Sequence, residues 1–180
     1  MIQVSSLIGL GKNINWYALV TRPRAEKKVA ERISTKWHTF LPLQTKWSQW
    51  SDRKKKVQLP LIPSFIFVNT TERELFSIVK EDDGIVRVLR YLGKPAIVKE
   101  KEIEILKLLI ANDTNVQLIS PIDIDKGEAV EIIKGPFAGL HAIYIGHQGK
   151  YKVIVNLETT ATYFQVEVSV NSIKRVSVSV

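Results

Sequence analysis

The sequence predicts an α+β protein in two parts, joined by a linker at residues 112–122. Residues 14–111 form a layered unit with helices against a mostly antiparallel sheet, and residues 123–180 form a small five-stranded β-barrel. Three observations carry this reading. Before residue 112, apolar residues recur at helical spacing in segments set between extended runs. Beyond residue 121, alternation of apolar and polar residues dominates. The positive charge is also unevenly placed: residues 1–60 hold 12 Lys/Arg against 3 Asp/Glu, and residues 61–180 hold 14 against 15, so the net +8 divides into +9 and −1.

Each element has a local cause. Residues 15–22 (Asn-Trp-Tyr-Ala-Leu-Val-Thr-Arg) are rich in aromatic and aliphatic side chains and read as a first strand. Pro23 suits the first turn of a helix. From 24 to 37, Ala25, Val29, Ile33 and Trp37 recur every four positions, with Ala30 widening the stripe. Pro42 keeps residues 40–43 extended. Residues 46–57 read as a hairpin with its turn at Ser51-Asp52-Arg53, and residues 64–69 (Ser-Phe-Ile-Phe-Val-Asn) as a buried strand. Thr71 caps a short helix over 72–80 that turns Leu75, Phe76 and Val79 inward. Gly84 then precedes a strand at 85–91 and a turn at 93–95. A helix over 99–111 places Ile103, Leu106 and Ile110 on one face.

Residues 112–121 lose both periodicities and gain turn formers, as a linker does. Strands follow at 129–133, 142–145, 151–155, 164–168 and 172–176, separated by turns near 135–136, 146–149, 157–161 and 169–171.

Composition excludes several classes. Zero Cys removes disulfide scaffolds, thiol catalysis and cysteine zinc sites. No apolar run approaches the roughly 20 residues that span a bilayer. Residues 1–11 lack the length and early positive charge of a secretory signal, so a cytoplasmic location is expected. His38, His141 and His147 have no metal-ligand spacing, Gly9-Leu10-Gly11 is not a phosphate loop, and no nucleophile turn is present. No enzyme chemistry, metal or cofactor is expected.

Two constellations remain. Lys28, Arg32 and Lys36 are spaced by four along the first helix, and Arg22 and Arg24 flank its start. A line of cations neutralises phosphates, though the same stripe, with Glu26 and Glu31 nearby, is equally an ordinary solvated face. Lys54-Lys55-Lys56 beside Trp47 and Trp50 adds a hairpin of aromatics and cations, suited to single-stranded or phosphate-backbone contact. The second constellation, residues 59–68, holds more apolar surface than one strand buries in a thin sandwich. Phe65 and Phe67 share one face, and Ile66 and Val68 the other. Either one face, with Ile62, stays exposed for a partner helix, or helices bury both.

At these residues the chain resembles the NusG family of transcription elongation factors, from Trp16 to Val176. Trp16-Tyr17, the basic helix, Ile62-Pro63-Ser64-Phe65-Ile66-Phe67-Val68 and Gly84-Ile85-Val86-Arg87-Val88-Leu89 are similar to its N-terminal (NGN) domain. The run from Gly127 to Gly139 (Gly-Glu-Ala-Val-Glu-Ile-Ile-Lys-Gly-Pro-Phe-Ala-Gly) resembles its C-terminal KOW motif, an SH3-like barrel. Thr21-Arg22-Pro23-Arg24-Ala25-Glu26-Lys27-Lys28-Val29 and Gln49-Trp50-Ser51-Asp52-Arg53-Lys54-Lys55 resemble the specialised Bacteroidetes paralogues that include the UpxY antiterminators of surface-polysaccharide operons. Ser64 stands where housekeeping members carry glycine, and Ala142 where KOW motifs commonly do.

The resemblance implies a factor that binds RNA polymerase and suppresses pausing or termination on selected operons. A general elongation factor and a ribosomal or RNA-binding KOW module are the alternatives. Ile62 and Phe65 are implied contacts to the clamp helices of the largest subunit, and Phe76 and Ser77 to the gate loop of the second. Arg22, Arg24, Lys28, Arg32, Lys36, Lys54 and Lys55 are implied contacts to non-template DNA or nascent RNA. Phe137, exposed on a Gly-Pro turn, is the implied contact to Rho or a ribosomal protein. A monomer without membrane contact is expected.

Overall fold

An unbroken apolar run in an extended segment is covered on both faces, and residues 16–20 are such a run. The computed structural model describes residues 13–49, 54–112, 116–119, 127–169 and 171–176. β1 (Ile14–Thr21) buries Trp16, Tyr17, Ala18 and Leu19 in succession. It is followed by α1 (Glu26–Ile33), β2 (His38–Phe40), β3 (Leu43–Gln49), β4 (Lys54–Pro60) and β5 (Phe65–Thr71). A 3₁₀ turn at Glu72–Glu74 leads into α2 (Leu75–Glu81), β6 (Ile85–Val88), β7 (Arg90–Tyr91), β8 (Lys94–Pro95), β9 (Ile97–Val98) and α3 (Glu100–Ala111). The remainder is β10 (Gln117–Ile119), β11 (Glu128–Ile132), β12 (His141–Gln148), β13 (Lys150–Leu157), β14 (Thr162–Val168) and β15 (Ile173–Arg175).

The main N-terminal sheet has the order β2-β5-β1-β6, with β9 also paired to β1, and every pair is antiparallel. Its two faces feed two cores. Tyr17, Leu19, Ile66 and Val68 meet Val29 and Ile33 of α1 and Leu75 and Ile78 of α2. Trp16, Ala18 and Phe67 meet Ile103, Leu106 and Leu109 of α3. β3–β4 and β7–β8 stand as separate two-stranded sheets. The C-terminal β domain is a six-stranded antiparallel sheet of order β10-β14-β13-β12-β11-β15. The predicted α+β class, with a mostly antiparallel sheet before a C-terminal β domain, is the observed one. No helix among the described residues is long and apolar enough to cross a membrane.

Several details differ from the sequence reading. The first helix is shorter at both ends than 24–37. Arg24 has φ 66, outside the helical region. At the other end the helix stops at Ile33, and Ser34 Oγ and Thr35 Oγ1 donate back to the carbonyls of Glu31 and Arg32. The strand over 85–91 breaks at Leu89: its N–H still bonds in register to the Ala18 carbonyl, while its own carbonyl accepts the Ala96 N–H. Residues 117–119, read as linker, form β10 along β14 and give the C-terminal sheet a sixth strand. The turn at 51–53, Trp50 and much of the 112–122 segment lie outside the described residues.

Two glycines of the resembling motifs have steric causes. A Cβ on Gly84 would lie 2.5 Å from Val29 Cγ2, so only glycine lets α1 seat here. On Gly127 it would lie 2.1 Å from the Tyr144 carbonyl oxygen.

The two parts touch at the start of α3. The buried Glu102 carboxylate accepts from the Lys99 N–H (3.1 Å), the Thr159 N–H (2.9 Å) and Thr159 Oγ1 (2.5 Å). Beside it, Lys99 Nζ pairs with Glu158 Oε2 at 2.6 Å. Apolar contact is continuous from Trp16 and Ile62 through α3 and Val116 to Val155, Phe164 and Val166 of the C-terminal sheet.

Entry into β5 is pinned by one carboxylate. Glu26 is 4% exposed and its Oε1 accepts the Ser64 N–H at 2.7 Å, while the Ser64 carbonyl accepts the Thr21 N–H at 2.9 Å. Ser64 has φ 62, a left-handed conformation that strains a side-chain-bearing residue by about 1–2 kcal/mol. Ser64→Gly is therefore expected to raise the unfolding free energy by about 1 kcal/mol. The denaturation midpoint at unchanged slope measures it, and a lowered midpoint contradicts the strain.

Candidate functional site

The apolar segment is divided by depth. Alternation along β5 sends Ile66 and Val68 under α1 and α2, and Phe67 under α3. Phe67 also packs on Phe40, ring centroids 6.2 Å apart. Ile62, open to burial or to exposure from its spacing and a clamp-helix contact by the resemblance, is 3% exposed within the α3-side core. The reason is long-range: its cover belongs to the cluster built on Ile103, Leu106 and Leu109 of α3. Phe65 stays half-buried at the edge of that core. Phe76, read as facing inward, is 68% exposed on α2. Lys80 Nζ lies 4.3 Å from its ring centroid, and Ser77 beside it is exposed. Phe76, Val86, Arg87, Arg90 and Lys94 line a groove of about 380 Å³ between α2 and the β7–β8 turn.

The basic residues separate by partner. Arg32 clasps Asp82 through Nε and through Nη2, the latter at 2.9 Å, and Lys36 Nζ meets Glu81 at 2.5 Å. The stripe predicted from four-residue spacing is thus two-thirds engaged with carboxylates at the C-terminal end of α2. Arg22, Arg24, Lys28, Lys54 and Lys55 carry no ion pair among the described residues. Arg24, Lys27 and Lys46 line a groove of about 660 Å³ with Leu59, Pro63 and Leu118. Lys27 and Lys46 were missed as members of this cluster; Lys27 adjoins Lys28, but Lys46 has no signal before the hairpin is folded. The buried Gln44 side-chain oxygen on the same groove has no hydrogen-bond partner among the described residues.

Phe137 was expected to be exposed on its turn and is instead 5% exposed. Gly135 (φ 88) and Gly139 (φ 85) let the turn close, and the Gly139 N–H bonds to the Ile132 carbonyl. The ring is folded into the core that holds Val116 and Val166. Lys134, Pro136 and Lys150 are on the exposed rim of the adjoining cavity of about 400 Å³. Among the described residues no group of three His, Asp or Glu is placed to hold a metal.

A model of the family described as "Transcription termination factor nusG" matches residues 14–107, more than half of the chain. The chain belongs to the NusG family. It is similar to a solved structure of domain interaction in Thermotoga maritima NusG, at 20% identity and TM-score 0.58, covering 92% of this chain and 98% of that one. Two conformations of the MjSpt4:Spt5 complex also match, A at 20% identity (TM-score 0.31; 90% of this chain, 98% of that) and B at 21% (TM-score 0.30; 91% and 97%). Among curated protein sequences none matches the chain. NusG-family proteins are transcription factors rather than enzymes.

Electrostatics at the α1–α2 junction make a pH prediction. Asp82 is held below its ordinary value of 3.8, first by the hydrogen bond from Arg32 and further by the Gly84 N–H at 2.8 Å, against the opposing effect of burial. A carboxylate depressed on folding stabilises the fold above its unfolded pKa, and that stabilisation is lost as pH falls through the lower folded value. Stability is expected to fall below about pH 4, and Asp82→Asn to flatten this part of the profile. Denaturation midpoints across pH 2–6 check it; equal acid slopes in both proteins contradict it.

Proposed function

We propose that this NusG-family chain is an elongation and antitermination factor that binds RNA polymerase and holds its clamp closed. The observation that carries the reading is Phe65, a half-buried aromatic at the strand edge of the family's matched domain, supported by the fixed Glu26–Ser64 turn beside it. An aromatic with a rigid backbone suits the centre of a small protein interface. The clamp-helix pair of the largest subunit is the proposed partner. Ile62 is covered here, so it joins that contact only when the packing around α3 opens. Phe76 and Ser77, exposed on α2, are the proposed gate-loop contacts.

Clamp closure favours one conformer through differential binding. It needs no covalent chemistry. Arg22, Arg24, Lys28, Lys54 and Lys55, without carboxylate partners among the described residues, are the proposed contacts to non-template DNA. Arg32 and Lys36 join only by exchanging Asp82 and Glu81 for phosphate. Action on selected operons such as surface-polysaccharide loci, in the manner of UpxY paralogues, is the finer form of the proposal. Polymerase occupancy that changes at a few operons on removal of the protein supports it, and a genome-wide change supports a general factor. A contact to Rho or a ribosomal protein belongs to the same reading, made by the rim of the 134–139 turn rather than by buried Phe137.

Phe65→Ala is expected to weaken binding of the full chain to a clamp-helix coiled-coil fragment by about 5- to 30-fold, the range of an interface hot spot. Calorimetry on the folded variant reads this directly, and unchanged affinity removes Phe65 from the interface. Neutralising Arg22 and Lys28 leaves that affinity intact. It lowers the salt dependence of DNA binding by about one unit of slope per contact.

A further inference from the structure

We infer that the outward face of the β3–β4 hairpin is a stacking site for an unpaired nucleobase, with Trp47 as the platform. The inference rests on the reading of the basic N-terminal part as a nucleic-acid surface and says which form of nucleic acid it takes. Strand register decides which side chains share a face. Trp47 stands opposite Lys56, and Gln49 opposite Lys54, so Trp47, Lys54 and Lys56 occupy one face. Lys46, Lys55, Val57 and Leu59 take the other, where Lys46 and Leu59 line the groove against the start of α1.

Trp47 is 66% exposed, and the hairpin pairs with no other strand among the described residues. Most of the indole is therefore left in water on a sheet face, open to a flat aromatic ligand. Lys56 Nζ lies 5.1 Å from the ring centroid, a cation beside the indole and within reach of the phosphate of a base stacked on it. Lys54 and Lys56 lie two residues apart on one strand, about 6.7 Å, which suits neighbouring phosphates of one extended strand. The fourteen described hairpin residues include four lysines and no carboxylate, so the surface is complementary to a polyanion. In a duplex both faces of each base are already stacked on neighbours. An indole therefore adds binding only where a base is unpaired, and this decides for a single strand.

The test uses the full chain, a labelled oligothymidine of roughly 12 nucleotides, within the site size of one binding fold, and a duplex of equal length, read by fluorescence anisotropy. Trp47→Ala is expected to weaken single-strand binding roughly 5- to 100-fold and to leave duplex binding within about twofold. Trp47→Phe retains most of the affinity, since it retains a π face. The salt slope is unchanged by Trp47→Ala and falls by about 0.7 for Lys54→Gln. Equal losses on both nucleic acids, or none on either, overturn the stacking site while leaving the basic surface standing. A wild-type chain that binds neither overturns both. No polymerase is present, so the outcome is separate from that of Phe65→Ala.

Discussion

The N-terminal architecture depends on one constraint, that β1 and β5 are paired along seven residues and covered on both faces. Each strand then has to supply apolar side chains to two cores in strict alternation. Ile66 and Val68 with Tyr17 and Leu19 hold α1 and α2, and Phe67 with Trp16 and Ala18 holds α3. A one-residue slip of β5 would exchange the two sets, burying Asn69 where Val68 belongs. Fully burying a side chain of this size stabilises the fold by about 1.5–3 kcal/mol, so the register is fixed by several such contributions at once. The surfaces proposed for partners are what the double coverage leaves over: the edge at Phe65, the outer side of α2, and the hairpin that pairs with nothing else described.

Electrostatics then sort the cations that composition had grouped together. Arg32 and Lys36 fasten α1 to the end of α2 through Asp82 and Glu81, and Asp82 also holds the Gly84 N–H. This ties a glycine that α1 needs for close packing to an ion pair at the same junction. The proposed contact cations left without carboxylates lie just before α1, in its first turn or on the hairpin. Net charge alone does not distinguish a cation that joins two helices from one that faces solvent; the position of the acids does.

Much of this was legible in the sequence. Alternation and four-residue spacing placed the strands and helices, and the Gly84 and Gly127 motifs marked positions where a Cβ has no room. What escaped depended on residues far apart in the chain. Arg32 and Asp82 are fifty positions apart, so helical spacing gave the stripe but not its partners. Ile62 was open to two readings because its cover comes from α3, some forty residues later. Phe137 turned inward because two left-handed glycines close its loop over a core built from other strands. Residues 117–119 have too short an alternation to read as a strand until β14 is there to pair with them.

Glu102 joins two jobs in one carboxylate, satisfying the first turn of α3 and receiving both donors of Thr159. The junction between the halves is consequently written partly in the N-terminal half's own helix. A chimaera that grafts a foreign C-terminal domain onto this chain would inherit an acid shaped for a threonine it no longer meets. Exchange of modules at this boundary is workable only when the opening of α3 travels with the domain it greets.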